Sequence, residues 1–222
     1  MAVGYQERTY RRMVHGHLAL LQVTVQETDL GVYARGLDGA VVREAVIEQR
    51  GYVEGYLRRH PEFERCRKPW PHDASAPAIV REMIEAGRAA DVGPMAAVAG
   101  AVAERVGRSL LARTDEVIVE NGGDIFLDID QQAVIGILAG ASPLSSKFGL
   151  KIEPSQTPLG VCTSSGTVGH STSYGNADAV CVVSASCALA DAAATAIANQ
   201  VRHPGDIDNA LKMGRGIPGV LG

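Results

Sequence analysis

EVIVENGGDIFLDIDQQAVIGILA, residues Glu116 to Ala139, reads as three strands. Glu116–Glu120 and Ile125–Ile129 carry β-branched and aromatic residues in short runs. Between them Asn121-Gly122-Gly123-Asp124 is a strong tight-turn sequence, because Asn-Gly and Gly-Gly supply the positive φ that a short hairpin turn requires. Ala133–Ala139 is the third strand signal. Two shorter signals follow, Leu150–Glu153 and Leu159–Cys162, and a further strand is expected over Ala179–Ser184. Upstream, Leu18–Val25 and Gly31–Arg35 read as a hairpin with Gln26–Leu30 turning between them.

Helices are expected around these strands. Asp38 to His60 has a plausible cap in Asp38 and apolar residues at Val41, Val42, Ala45, Val46 and Val53, although Gly51 and Gly55 weaken its second half. Pro61–Pro77 is Pro-rich and reads as irregular. Further helices are expected over about Ala76–Ala90, Met95–Arg113, Cys187–Val201 and Asp206–Met213. Antiparallel hairpins mixed with packed helices imply an α+β fold, and with no internal repeat or clear linker the 222 residues read as one compact domain, 1–222. Its N-terminal part, 1–90, carries no usable motif; the candidate motifs lie in 91–201.

Composition excludes several classes of function. Apolar content of 46 % against 21 % charged is that of a globular protein with a real core. A net charge of −4 gives no general attraction to nucleic acid or to an anionic membrane. No run approaches the ~18 apolar residues of a membrane span, and Met1–Gly16 lacks an apolar leader core, so a cytoplasmic protein is expected. None of Cys66, Cys162, Cys181 and Cys187 forms a CxxC pair, which argues against a disulfide framework and a structural zinc site. Cys181 and Cys187 read as small core hydrophobes, whereas Cys162 borders a loop of unusual composition.

That loop is Gly160–Val180, GVCTSSGTVGHSTSYGNADAV, in which ten of the sixteen residues from Thr163 to Asp178 are Gly, Ser or Thr. Connections between strands are usually ~4–6 residues, and longer ones are commonly functional. Glycines let a ligand approach the backbone, and hydroxyls with N–H groups suit anionic oxygens. His170 inside it has the chemistry of a general base, a phosphate donor or a metal ligand. The other histidines (15, 17, 60, 72 and 203) have no spacing that supports a metal site.

Three further segments are candidates. In the helix Cys187–Val201, Asp191 and Thr195 lie four residues apart on one face; a carboxylate in so apolar a segment needs a partner, and an oxygen pair suits Mg2+ or Ca2+. Alternatively Asp191 caps a helix beginning at Ala192, or faces water. The turn glycines Gly122 and Gly123 either clear space for a ring or phosphate, with Asp124 bonding the ligand, or serve the hairpin alone. Asp91-Val92-Gly93-Pro94-Met95-Ala96 joins two helices, with Pro94 well placed for a helix start. Its N–H groups either bind an anion or belong to a plain turn. No GxGxxG, P-loop, GxSxG or HExxH is present.

In this order the four segments resemble those of the ApbE family, the FAD:protein FMN transferases, and more closely the shorter ApbE-like proteins of anaerobic prokaryotes. Asp91–Ala96 stands where the family has DLGGIA, Asn121–Asp124 matches its NGGD turn, Thr163-Ser164-Ser165-Gly166 its (A/S)TSG segment, and Ala190–Ala196 its ADALATA helix. The resemblance implies an ApbE-type fold with FAD bound by Asp91, Gly93, Asn121, Gly122, Gly123, Asp124, Thr163, Ser164, Ser165 and Gly166. It implies Mg2+ held by Asp191, Thr195 and the backbone carbonyl of Ala96, bridging the diphosphate while a threonine of an acceptor protein attacks the FMN phosphate and AMP leaves. Departures are Ala97 where the family has Lys, and His170-Ser171-Thr172-Ser173-Tyr174 where it has H-I-I-D-P, so that only His170 corresponds. Two alternatives stand beside the transferase. One is a role in sulfur assimilation and homocysteine formation, with which the shorter relatives have been associated, with Cys162 as a thiolate favoured by loop N–H groups. The other is a flavin- or nucleotide-binding module without chemistry. Expected partners are a flavin or other phosphate-bearing small molecule, an acceptor protein and a second copy in a homo-oligomer, but neither nucleic acid nor membrane.

Overall fold

A computed structural model of the chain describes Arg11, residues 16–166 and residues 174–222. Eight strands occur among them: β1 Ala19–Val25, β2 Thr28–Ala34, β3 Val117–Asn121, β4 Asp124–Asp128, β5 Ala133–Gly136, β6 Gly149–Ile152, β7 Leu159–Ser164 and β8 Val180–Ser184. The helices are α1 Gly39–Arg59, α2 Glu62–Arg65, α3 Ala78–Ala89, α4 Val98–Leu110, α5 Cys187–Ala198 and α6 Ile207–Arg215. Six strands form one sheet in the order β1-β2-β3-β4-β7-β8, every neighbouring pair antiparallel. β5 and β6 form a separate antiparallel ribbon. This is the α+β arrangement expected from the hairpin signals.

Alternation along the strands decides which side each layer covers. Leu30, Val32, Val117, Val119, Phe126, Cys162 and Val182 face the helices and join the main core with residues of α1, α3, α4 and α5. Their neighbours Ile118, Ile125, Leu127, Val161, Cys181 and Val183 face the other way, into a smaller cluster closed by Ala133, Ile135, Leu150 and Ile152 of the ribbon. The sheet is thus covered by helices on one side and partly by the ribbon on the other.

Local chemistry explains most boundaries. Asp38 caps α1, its carboxylate accepting from Ala40 N at 2.9 Å. Gly51 and Gly55 do not end this helix, because Val42, Ala45, Val46, Val53 and Tyr56 bury one continuous face across them. The β1–β2 turn is shorter than the expected Gln26–Leu30. Val25 pairs with Thr28, leaving Gln26 and Glu27 at the tip with Gln26 at φ +52°, and Thr28–Leu30 belong to β2. The Pro61–Pro77 stretch contains the short helix α2, whose Phe63 is buried against Tyr56 and Trp70. The helix expected from Met95 begins as a 3-10 turn, Pro94–Ala97, and becomes α-helical at Val98. No described helix is long and apolar enough to cross a membrane.

Helix α4 lies directly on β3 and β4. At the contact, a Cβ added to Gly107 would come 2.3 Å from the Phe126 ring and 3.3 Å from Val119. Gly107→Ala is therefore expected to cost about 1–3 kcal/mol, the usual range for overpacking. Urea unfolding should show a lower midpoint with an unchanged slope, and the second change Phe126→Leu should recover part of the loss.

Candidate functional site

Three of the segments singled out in the sequence meet at one end of the sheet: the NGGD turn, the Thr163 end of β7 and Asp191 of α5. The β3–β4 turn closes as a two-residue hairpin, with Asn121 opposite Asp124 and Gly122 at φ +74°. Gly123 lies against β7: a Cβ there would meet the Thr163 carbonyl oxygen at 2.3 Å, and Thr163 N donates to Gly123 O at 2.8 Å. Both glycines thus have a requirement within the chain itself. From the same turn, Asn121 Nδ2 donates to Ala99 O at 3.1 Å, tying the hairpin to the start of α4.

Asp191 settles how the helices meet. It does not cap its own helix. α5 begins at Cys187 and is capped by Ser186, whose hydroxyl accepts from Leu189 N. Asp191 instead reaches across to α4, where its Oδ2 accepts from Gly100 N at 2.9 Å and the Ala99 N–H also bonds the carboxylate. Helix N-terminal N–H groups that could serve an anionic ligand are therefore already bonded to a carboxylate of the chain. α4 returns the interaction: the buried Glu104 accepts from Cys187 N at 2.7 Å, at the first turn of α5, while its other oxygen receives Arg108. Gly100 makes the approach possible, since a Cβ would lie 2.3 Å from Cys187 O and 2.9 Å from Asp191 Cβ.

The electrostatics of this corner are those of two acids. Burial pushes the Asp191 carboxyl well above its ordinary range, the charge of Asp124 pushes it further, and the Gly100 and Ala99 N–H groups only partly oppose this. Asp191 has no ion pair among the described residues. Thr195, one turn further along α5, is half-buried, and α5 packs against the Pro94–Ala97 turn that carries Ala96. The Asp124 and Asp191 carboxylates, the Thr195 hydroxyl and the Ala96 carbonyl are each hard-oxygen donors of the kind Mg2+ takes.

The remaining candidates differ in position. Asp91 is exposed at φ +55° in the turn before Pro94, and Gly93 is buried against the Cys66 carbonyl. Ser164 and Ser165 are half-buried and Gly166 is exposed, its N–H donating to Ala177 O at 2.9 Å. His170 lies outside the described residues. Cys162 has surroundings opposite to those expected of a thiolate. It pairs with Asp124 in the β4–β7 register but points under α5, fully buried, its Sγ 3.5 Å from Cys187 Sγ and 3.4 Å from Cys187 O. Burial, first of all, and the neighbouring thiol and acids push it well up, so it is a protonated thiol at neutral pH. The sulfur reading loses its nucleophile for this physical reason. Cys187 is a core residue as expected, and Cys181 is half-buried on the opposite face of the sheet. Glu104 escaped sequence reading; the only signal was a charge inside a buried, Ala- and Val-rich helix.

Residues 11–211 match the family model described as AbpE bacteria. The chain belongs to this ApbE-like family. It is 41% identical over 199 residues to a UPF0280 protein of Methanocella arvoryzae, covering 89% of this chain and 81% of the relative. A UPF0280 protein of Methanococcus aeolicus is 38% identical over 202 residues, covering 89% and 79%. Among solved structures, the flavin transferase ApbE from Vibrio cholerae superposes with a TM-score of 0.54 at 14% identity, covering 82% of this chain and 86% of that one. The apo flavinyl transferase ApbE of Pseudomonas stutzeri gives 0.54 at 15% identity, covering 88% and 87%. At such identities the likeness is one of fold, and the fold is that of ApbE.

The raised Asp191 carboxyl has a consequence for stability. A carboxyl whose folded pKa exceeds its unfolded value contributes stability at low pH that is lost as pH rises through the folded value. In chelator, the melting temperature of the ApbE-like chain should therefore contain a component that falls as pH rises above about 4, the ordinary value being 3.8. Asp191→Asn should remove that component. A melting series from pH 5 to 8, with and without a divalent cation, reads it; a slope identical in both proteins contradicts the assignment.

Proposed function

We propose that this ApbE-like chain binds a flavin dinucleotide, FAD, together with Mg2+, and transfers FMN from it to an acceptor protein. The observation that carries the reading is the Asp124–Asp191 pair, two acids brought together at one corner and lacking a cation on the Asp191 side. A divalent ion would keep both carboxylates ionised where burial now drives Asp191 toward the neutral form. Asp191, Thr195 and the Ala96 carbonyl would hold the ion. When bound, Mg2+ supplies charge neutralisation for the diphosphate and Lewis acidity at the phosphorus.

The chain's own residues would divide the work by position. The Gly100 and Ala99 N–H groups orient the Asp191 carboxylate, so that it enters the site in one rotamer rather than by chance. Asn121 holds the NGGD turn onto α4 through Ala99 O, keeping Asp124 beside Asp191. Thr163 and Ser164 end β7 beside that turn and Ser165 and Gly166 follow them, which would place this backbone within reach of a phosphate-bearing ligand. Family membership and the ApbE fold support the flavin nucleotide over other diphosphates.

Calorimetric titration with FAD, in the presence and absence of Mg2+, tests the reading. Wild type should bind with Mg2+, and Asp191→Ala should lose at least about tenfold in affinity in Mg2+ while changing little without it. AMP should then be released in the presence of a threonine-bearing acceptor peptide. Binding without AMP release would make the chain a flavin-binding module, and no binding under either condition would remove the flavin reading altogether.

A further inference from the structure

At the opposite end of the sheet from the NGGD turn, a second group of side chains meets, drawn from segments far apart in sequence. His17 precedes β1, Arg35 follows β2, Glu116 precedes β3 and Asp130 follows β4, so that four successive strands of the sheet each deliver one residue to a single row. His17 Nε2 lies 2.6 Å from Glu116 Oε1 and 3.8 Å from Asp130 Oδ1. One ligand atom from each of His17, Glu116 and Asp130 falls within 4.8 Å of the other two. Arg35 bridges the two carboxylates, bonding Glu116 Oε1 and lying 3.2 Å from Asp130 Oδ2.

The geometry points to a divalent-cation site at His17, Glu116 and Asp130, distinct from the Asp124–Asp191 corner. Zinc and its first-row neighbours bind imidazole nitrogen and carboxylate oxygen at about 2.0–2.2 Å, which sets three ligand atoms roughly 3–3.5 Å apart. The cluster is close to that spacing and needs only sub-ångström to ångström adjustments. The parts that must move are the ones free to do so. The Glu116 side chain is 2% exposed and forms a fixed anchor, its second oxygen accepting from Asp130 N at 3.4 Å. The His17 side chain is 34% exposed and Asp130 50% exposed, each outside the strands. Arg35, 52% exposed, is the cation that now serves both carboxylates, and its long side chain can swing into water when a dication takes its place.

Charge favours the exchange. Two carboxylates face a single guanidinium, so the acids outnumber the fixed cation and a dication is attracted. One nitrogen and two carboxylate oxygens select a borderline ion of the zinc class over Mg2+ or Ca2+, which take all-oxygen sets, and leave a coordination position for water. Bound metal would tie the segment at residues 16–18 to the ends of β3 and β4, a cross-link that only the folded chain can make, and so would raise thermal stability.

The test is titration of the full chain with Zn2+, and with Co2+ as a visible-absorption probe, in excess Mg2+ to occupy hard-oxygen sites. One zinc-class ion per chain should bind, with a Co2+ spectrum showing a nitrogen ligand and with a higher melting temperature. His17→Ala and Asp130→Asn, both partly exposed positions, should each weaken binding at least about tenfold while circular dichroism stays native, and Asp191→Ala should keep it. Failure of Zn2+ to saturate the protein by millimolar concentration would overturn the site. So would an affinity unchanged in His17→Ala.

Discussion

Two helices that cap each other hold the candidate site's corner together. Asp191 of α5 supplies the acceptor that the first N–H groups of α4 need, and Glu104 of α4 supplies the acceptor for the first turn of α5. An α-helix leaves four N–H groups unsatisfied at its start, and a buried start must find acceptors within the protein. Here each helix is the other's acceptor, and Gly100 allows the spacing by presenting no Cβ to the Cys187 carbonyl. With the two helices so joined, α4 lies on β3 and β4 and α5 on β7 and β8, and the buried apolar core holds both to the sheet.

The same contact sets the electrostatics of the corner. A carboxylate placed to cap a neighbouring helix is desolvated, and in this case it also meets the charge of Asp124. The helix N-terminus orients Asp191, while burial beside a second acid disfavours its ionised form unless a cation is near. The glycines of the NGGD turn fit this economy of space. Gly123 lets β7 come close enough for Thr163 to bond the turn, and thereby brings Thr163–Gly166 to the edge of the acidic corner.

Much of this was legible locally. The Asn121-Gly122-Gly123-Asp124 turn depends on backbone preferences of four adjacent residues, and Gly122 takes the positive φ that they announce. Asp38 marks a helix start by a side-chain bond to the N–H two residues on, whereas the Ser186 cap of α5 emerged only in the structure. Helix α1 survived its glycines because its buried face runs unbroken from Val42 to Tyr56, about four turns. Less legible were features set by the partner rather than the segment. The length of the β1–β2 turn follows from the Val25–Thr28 register, and the protonated state of Cys162 follows from α5 lying over it.

The sequence by itself determined the elements, their order and the residue types at the sites, because hydrophobic period, capping and turn chemistry act over a few residues. It also carried the family's motifs in their proper succession. Tertiary structure alone decided which acids meet. Asp191 and Gly100 are 91 residues apart, and His17 and Glu116 are 99 apart, distances over which no periodicity or spacing rule operates. Only the closing of the antiparallel sheet and the docking of α4 on α5 set those separations to bonding length.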